Sequence, residues 1–289
     1  MDGKPGHEKQ TLGLCNALAR ILPVYRLDIP VPGRWKSLIH WITGQFPSGH
    51  GLPVPDLLIG AGHATHLPLM AARRAYGGKT VVLMGPSLPL VLFDLCLIPE
   101  HDAPPSRPNV VPTMGAINNV IPSNNHDPRR GLILVGGPSS HFQWDSAAIT
   151  RQIEELVRSK PDIAWTLTTS RRTPAQFLGN LGIDEIEKSS AEATPPGWLE
   201  DQLARTGETW VTPDSVSMVY EALTAGCRVG LFELPATARS RVVKGILDLK
   251  TKGYVSSFPL LSADTVSEMP PPLNEAARCA KIIASQWHS

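Results

Sequence analysis

Apolar positions along this chain switch repeatedly between two periods. Over residues 8–21 they recur at helical spacing, with Leu12, Cys15, Leu18 and Ala19 on one face. Residues 24–29 read as a strand and 34–44 as a short helix. Residues 56–60, Asp-Leu-Leu-Ile-Gly, form a continuous apolar run that reads as a buried strand ending in glycine. A helical pattern follows over 63–76, then strands over 80–84 and 93–98. Strands alternating with helices predict a parallel sheet with crossover helices.

The stretch Ser123-Asn-Asn-His-Asp-Pro-Arg-Arg130 is polar and turn-rich and breaks the pattern. A second alternation begins beyond it. Strands are expected over 131–135, 163–169, 209–212 and 228–232, and helices over 144–159, 173–181, 214–225 and 239–252. The last helix, 273–287, either closes this half or crosses back onto the first. The reading is therefore two α/β domains, each a doubly wound Rossmann-like fold, over 1–126 and 127–289. One element is missing: Asp2-Gly-Lys-Pro-Gly-His-Glu8 opens the chain without the strand that normally precedes such a loop. Either the true start lies upstream or the N-terminal domain lacks its first strand.

Composition narrows the class. The 289 residues are 42% hydrophobic, enough for two cores, and 27 basic residues against 26 acidic give a net charge of +1. That balance argues against a nucleic-acid partner, which calls for a basic excess. Cys15, Cys96, Cys227 and Cys279 are far apart and read as reduced, buried thiols. No leader pattern and no apolar run of spanning length is present, so the expected location is the cytoplasm, with peripheral contact at the inner membrane as the second reading.

Four segments fall where strands run into helices, the edge at which open parallel sheets bind ligands. The first is the opening glycine loop ending in His7. The second is Val135-Gly-Gly-Pro138, whose amides at Gly136 and Gly137 suit a diphosphate. In Thr168-Thr-Ser-Arg-Arg-Thr-Pro174, Thr173 would cap a helix begun by Pro174, and Arg171 or Arg172 would fork onto phosphate. In the fourth, Asp214 or Ser215 would cap a helix on which Asp214, Ser217 and Glu221 form one polar stripe. A carboxylate two turns in can bind ribose hydroxyls while first-turn amides face phosphate.

Two further features weigh less. His63 and His66 follow Gly60-Ala-Gly62, but no third ligand stands at a recognisable spacing, so no metal and no cofactor are expected. In Arg34-Trp-Lys-Ser-Leu-Ile-His-Trp-Ile42, the stripe of Trp35, Leu38, Ile39 and Ile42 reads as core packing. Trp41 lies off it, with lipid contact as the minor alternative.

The opening motif resembles that of the mitochondrial fission elongated-mitochondria family. So do Phe93-Asp94 with Pro99 and Asp102, Gly136-Gly137, Thr169-Ser-Arg-Arg-Thr-Pro174, and Thr212-Pro-Asp-Ser-Val-Ser-Met218 with Glu221. The resemblance implies the GT-B fold of glycosyltransferases, two Rossmann-like domains facing across a cleft. Bacterial members have been described as predicted nucleoside-diphosphate-sugar epimerases. Histidine stands in Gly60-Ala-Gly-His-Ala-Thr65 where many relatives have arginine.

The expected function is a metal-independent enzyme transferring sugar from a nucleotide-sugar donor to an unknown acceptor, which a membrane surface could carry. Gly136, Gly137, Arg171, Arg172, Asp214, Ser215, Ser217 and Glu221 would hold the donor. His7 is the candidate base, with Asp94 as the other catalytic candidate. Epimerisation, drawing on Asp94, Glu100, His101 and Asp102, is the first alternative. A non-catalytic adaptor is the second.

Overall fold

The computed structural model describes residues 1–237, 240–258 and 273–287. The chain divides into two compact units, Met1–Asn119 together with the C-terminal helix, and Val120–Asn274.

In the first unit, α1 (Pro5–Ala19) and α2 (Arg34–Thr43) precede any strand. Then come β1 (Leu57–Ala61), α3 (His66–Tyr76), β2 (Lys79–Leu83), β3 (Leu95–Pro99) and β4 (Val110–Thr113). The four strands are parallel in the order β1-β2-β3-β4. β4 was not expected from sequence. Residues 24–29, expected as a strand, form none. Val24, Tyr25 and Leu27 of this segment are exposed, and none of it joins the ladder of the four-stranded sheet. The buried face of α1 is Leu14, Ala17 and Leu18, rotated from the one expected, leaving Leu12 and Cys15 half-buried and Ala19 exposed. The cause is a second partner: the C-terminal helix joins the sheet in covering α1, through Ala276, Cys279, Ala280 and Ile283.

In the second unit, β5 (Asp127–Val135), α4 (Ser146–Ser159), β6 (Ala164–Thr169) and β7 (Glu187–Ser189) run first. They are followed by α5 (Trp198–Leu203), β8 (Thr206–Val211), α6 (Val216–Ala225), β9 (Arg228–Leu231), α7 (Arg241–Thr251) and β10 (Val255–Ser257). The sheet is parallel in the order β10-β9-β8-β5-β6-β7. From β5 the chain builds outward through β6 and β7, then returns to build the other side from β8. The order therefore reverses at β5, and the crevice at the carboxyl ends of β5 and β8 is where such sheets take ligands.

The helix expected over 173–181 is a run of turns, and the expected start of α7 at Arg239 lies outside the described residues. Thr173 does not cap a helix. Its hydroxyl turns back and donates to the Val135 carbonyl at 3.0 Å and to that of Gly136. The last helix, α8 (Glu275–Trp287), packs in the first unit against α1. All four cysteines are free. Burial pushes the Cys96 and Cys227 thiols up to about 11 and Cys279 to about 12, so these three are inert near neutrality.

Candidate functional site

At the reversal point of the second unit, three loops meet. Gly136 and Gly137 follow β5, Arg171 and Arg172 follow β6, and Thr212 to Ser215 follow β8. The Gly136 amide donates to the Thr212 hydroxyl at 2.7 Å, and the Gly137 amide to Asp214 Oδ2 at 2.8 Å. This corrects the expectation that the glycine amides face a diphosphate, because protein groups already occupy them. The glycines are needed for another reason. A Cβ on Gly136 would collide with the Asp214 carboxylate, and one on Gly137 with the Arg172 carbonyl.

Arg172 is committed in the same way. Its guanidinium donates to the Gly137 and Pro138 carbonyls at 3.0 Å each and pairs with Asp214 Oδ2 at 2.9 Å. It is a latch between loops, and the bonds of Nη1 and Nη2 to Gly137, Pro138 and Asp214 take up the paired donors of the phosphate fork expected of it. Arg171 is exposed beside it.

Asp214 is the pivot. Its side chain is 1% exposed, and while Oδ2 takes both Gly137 and Arg172, Oδ1 is buried and finds no donor among the described residues. Neither Asp214 nor Ser215 caps α6 as expected. Asp214 is drawn off by Arg172 and Gly137, and the Ser215 hydroxyl makes no capping bond. The first-turn end of α6 therefore keeps its positive dipole end uncapped. Ser217 is exposed on that turn and Glu221 is buried one turn further along. The structure thus brings Gly136, Gly137, Arg172 and Asp214 into direct contact, with Arg171, Ser215, Ser217 and Glu221 on the elements flanking them.

In the first unit, the His7 ring packs over Gly62 at the carboxyl end of β1, where a Cβ would strike the imidazole. The backbone there has φ 81°, which glycine adopts without strain. His7 Nδ1 lies 2.7 Å from Asp2 Oδ2, and Asp2 is almost fully buried. Burial opposes ionisation of Asp2, but hydrogen bonds from His7 and from the Lys4 amide outweigh it and hold the carboxyl below its usual range. The carboxylate therefore accepts the Nδ1 proton, and Nε2 is left as the basic nitrogen. Asp2 is the residue that sequence reasoning missed. Its signal was in the motif, since a turn can bring a carboxylate back onto a histidine five residues along.

Asp94 does not join this edge. It precedes β3, at the amino end of the sheet, and accepts from the Thr80 amide and hydroxyl at 2.9 Å each and from Arg73 at 3.3 Å. Lys79 stands 3.5 Å away. Burial works against its charge, and these partners more than offset that, lowering its pKa. A carboxylate so occupied ties β2, β3 and α3 together, and the catalytic role expected of Asp94 does not fit its place. Glu100, His101 and Asp102, by contrast, form a short turn directly after β3, at its carboxyl end.

His63 is exposed and His66 buried. His66 Nδ1 lies 3.0 Å from the Ser87 hydroxyl and accepts from the Ser87 amide at 3.4 Å, while Nε2 is buried without a partner among the described residues. Among the described residues no group of three His, Cys, Asp or Glu is placed to hold a metal ion. None of their helices is long and apolar enough to cross a membrane.

Known proteins share this fold. The chain is 23% identical to uncharacterized protein RP120 of Rickettsia prowazekii (strain Madrid E), over 79% of each chain. Its fold is similar to that of a candidate UDP-N-acetylglucosamine 2-epimerase from Listeria monocytogenes, with TM-score 0.60 and 13% identity, covering 100% of this chain and 95% of that one. It is also similar to the UDP-GlcNAc 2-epimerase of Neisseria meningitidis, solved with UDP-GlcNAc bound, with TM-score 0.50 and 11% identity over 96% of each. These likenesses show the fold, two Rossmann-like α/β domains of the GT-B type. The family model for Mitochondrial fission ELM1 matches residues 5–287, and the chain belongs to that family.

Proposed function

We propose that this protein is a nucleotide-sugar enzyme of the glycosyl-transfer type that works without a metal ion. The observation that carries the reading is Asp214 Oδ1, a buried carboxylate oxygen without a donor among the described residues, at the reversal point of the sheet and beside an uncapped helix end. A buried acceptor left unpaired costs roughly 1–3 kcal/mol, which a ligand hydroxyl bound there would recover. In this reading the amides of α6 and the Arg171 guanidinium hold the diphosphate, and Ser215 and Ser217 line the helix mouth. Glu221 takes the ribose hydroxyls. Gly136, Gly137 and Arg172 hold Asp214 in place. Fixed dipoles and an arginine then stabilise the leaving diphosphate. His7, oriented by Asp2, removes the acceptor's proton.

A second reading, epimerisation, draws on Glu100, His101 and Asp102 at the carboxyl end of β3. Product analysis separates the two, because an epimerase changes the sugar with no acceptor present. An adaptor that has lost turnover would bind partner proteins and release no nucleotide with any acceptor.

The first test is a thermal-shift screen of nucleoside diphosphates and their sugars in the presence of EDTA. A ligand at 100 times its Kd adds about 2.7 kcal/mol to the folded state, a rise of several degrees in Tm. A rise with at least one nucleotide, unchanged by chelator, is expected. No rise with any nucleotide, or a rise only when magnesium is added, overturns the reading.

A further inference from the structure

The apolar stripe of α2 points the opposite way from the expected core packing. Trp41, off the stripe, packs against buried Phe46, Ala71 and Ala72, and Ser37 is buried. Trp35, Ile39 and Ile42 are 78%, 57% and 64% exposed. At positions i, i+4 and i+7 they share one face of the helix. They do not stand alone. Among the described residues, most of the large apolar side chains left exposed fall between residues 21 and 54, including Ile21, Tyr25 and Val54. Isolated exposed apolar residues need no explanation, but a concentration in one segment marks an interaction surface.

Charge says what the surface meets. Arg34 and Lys36 stand exposed on α2, which has no acidic residue. Across residues 20–54 there are four Arg and Lys and one acid, Asp28, and that acid is paired with Arg26 at 3.1 Å. The whole chain is nearly neutral at +1, so the cationic excess is local to the apolar segment. We propose that this face docks on an anionic lipid bilayer. Trp35, Ile39 and Ile42 enter the boundary between headgroups and acyl chains, and Arg34 and Lys36 reach the lipid phosphates. A second copy of the chain fits less well. Two copies of this face would set cations against a surface that carries no acid on α2 to complement them, in whichever direction the helices ran. The proposal is independent of the transferase reading.

Co-sedimentation of the full chain with lipid vesicles tests it. Binding is expected to vesicles of phosphatidylcholine mixed with phosphatidylglycerol, at least roughly tenfold stronger than to phosphatidylcholine alone, and weaker as salt rises. Trp35→Gln, Ile39→Gln and Ile42→Gln together are expected to abolish it while leaving the circular dichroism spectrum and Tm near wild type, because the three side chains are exposed. Arg34→Gln with Lys36→Gln is expected to remove the preference for the anionic vesicles. Three results would each overturn the proposal: no sedimentation with anionic vesicles, undiminished sedimentation of the triple variant, or a wild-type dimer in light scattering that the triple variant converts to monomer.

Discussion

Adjacent arginines at the mouth of β6 look interchangeable in sequence and are opposites in the structure. Arg172 spends its guanidinium on two carbonyls and on Asp214, whereas Arg171 is exposed. Arg172→Ala is expected to leave a buried carboxylate without its cation and to lower stability by roughly 2 kcal/mol or more in urea unfolding. That is below the range for fully buried pairs, because the guanidinium is 44% exposed. Arg171→Ala is expected to leave the urea midpoint unchanged and to weaken nucleoside diphosphate binding at least tenfold by calorimetry, about 1.5–3 kcal/mol for a charge-assisted contact. Equal effects of the two on stability would mean that the latch is not where the geometry puts it. Asp2 and His7 make a second such pair. Asp2→Asn removes the carboxylate charge that holds the proton on Nδ1 and lets an amide N–H face that nitrogen instead, and turnover with the donor found by thermal shift is expected to fall roughly 10²-fold or more, with donor KM unchanged. Nitrogen NMR of His7 should then show a mixture of tautomers in place of one. Turnover within a few-fold of wild type would remove Asp2 from the mechanism.

Elements were legible where their own pattern sufficed. The runs that became β1, β2 and β5 hold continuous apolar segments of strand length, β6 is rich in Trp, Leu and Thr, and α1, α3, α4 and α6 carry a helical period within a few residues of their observed ends. What failed depended on a partner that local pattern does not encode. Residues 24–29 have strand composition, but among the described residues they pair with no strand, and the Ile29 carbonyl accepts from the Met1 amino group instead. Residues 173–181 have a proline and a threonine suited to a helix start, but the threonine hydroxyl is drawn back to β5 instead. The amphipathic pattern of α2 was read correctly as a stripe and wrongly as a buried one, since spacing fixes which residues share a face and not what that face meets. At the candidate site the residue set was visible and its wiring was not. Gly136, Gly137, Arg172 and Asp214 could be singled out as strand-end groups, but only the fold shows that they bond to one another.

At the scale of the whole molecule, acid stability should expose His66 within the first unit. Buried between α3 and the Ser87 loop, its imidazole is pushed down to about 4 by burial, with the nearby charge of His63 adding to the effect. The sign follows from proton counting. As pH falls below 6.5, the unfolded chain binds a proton at this histidine and the folded chain does not until about 4, so stability is lost across that window. At about 1.4 kcal/mol per unit, the loss approaches roughly 3 kcal/mol at the acid end. Asp2 and Asp94 act in a separate window. Their folded pKa values lie below the ordinary 3.8, so their contribution is complete above that value and disappears only as pH falls through the lowered ones. His66→Asn keeps an acceptor where Nδ1 faces Ser87 and removes the titration. Urea midpoints measured between pH 7 and pH 5 are expected to fall for the wild-type protein and to stay nearly level for this variant, while both lose stability below pH 4. Parallel curves for the two proteins would mean that His66 takes up a proton on Nδ1 while folded, which the Ser87 hydroxyl would then have to accept.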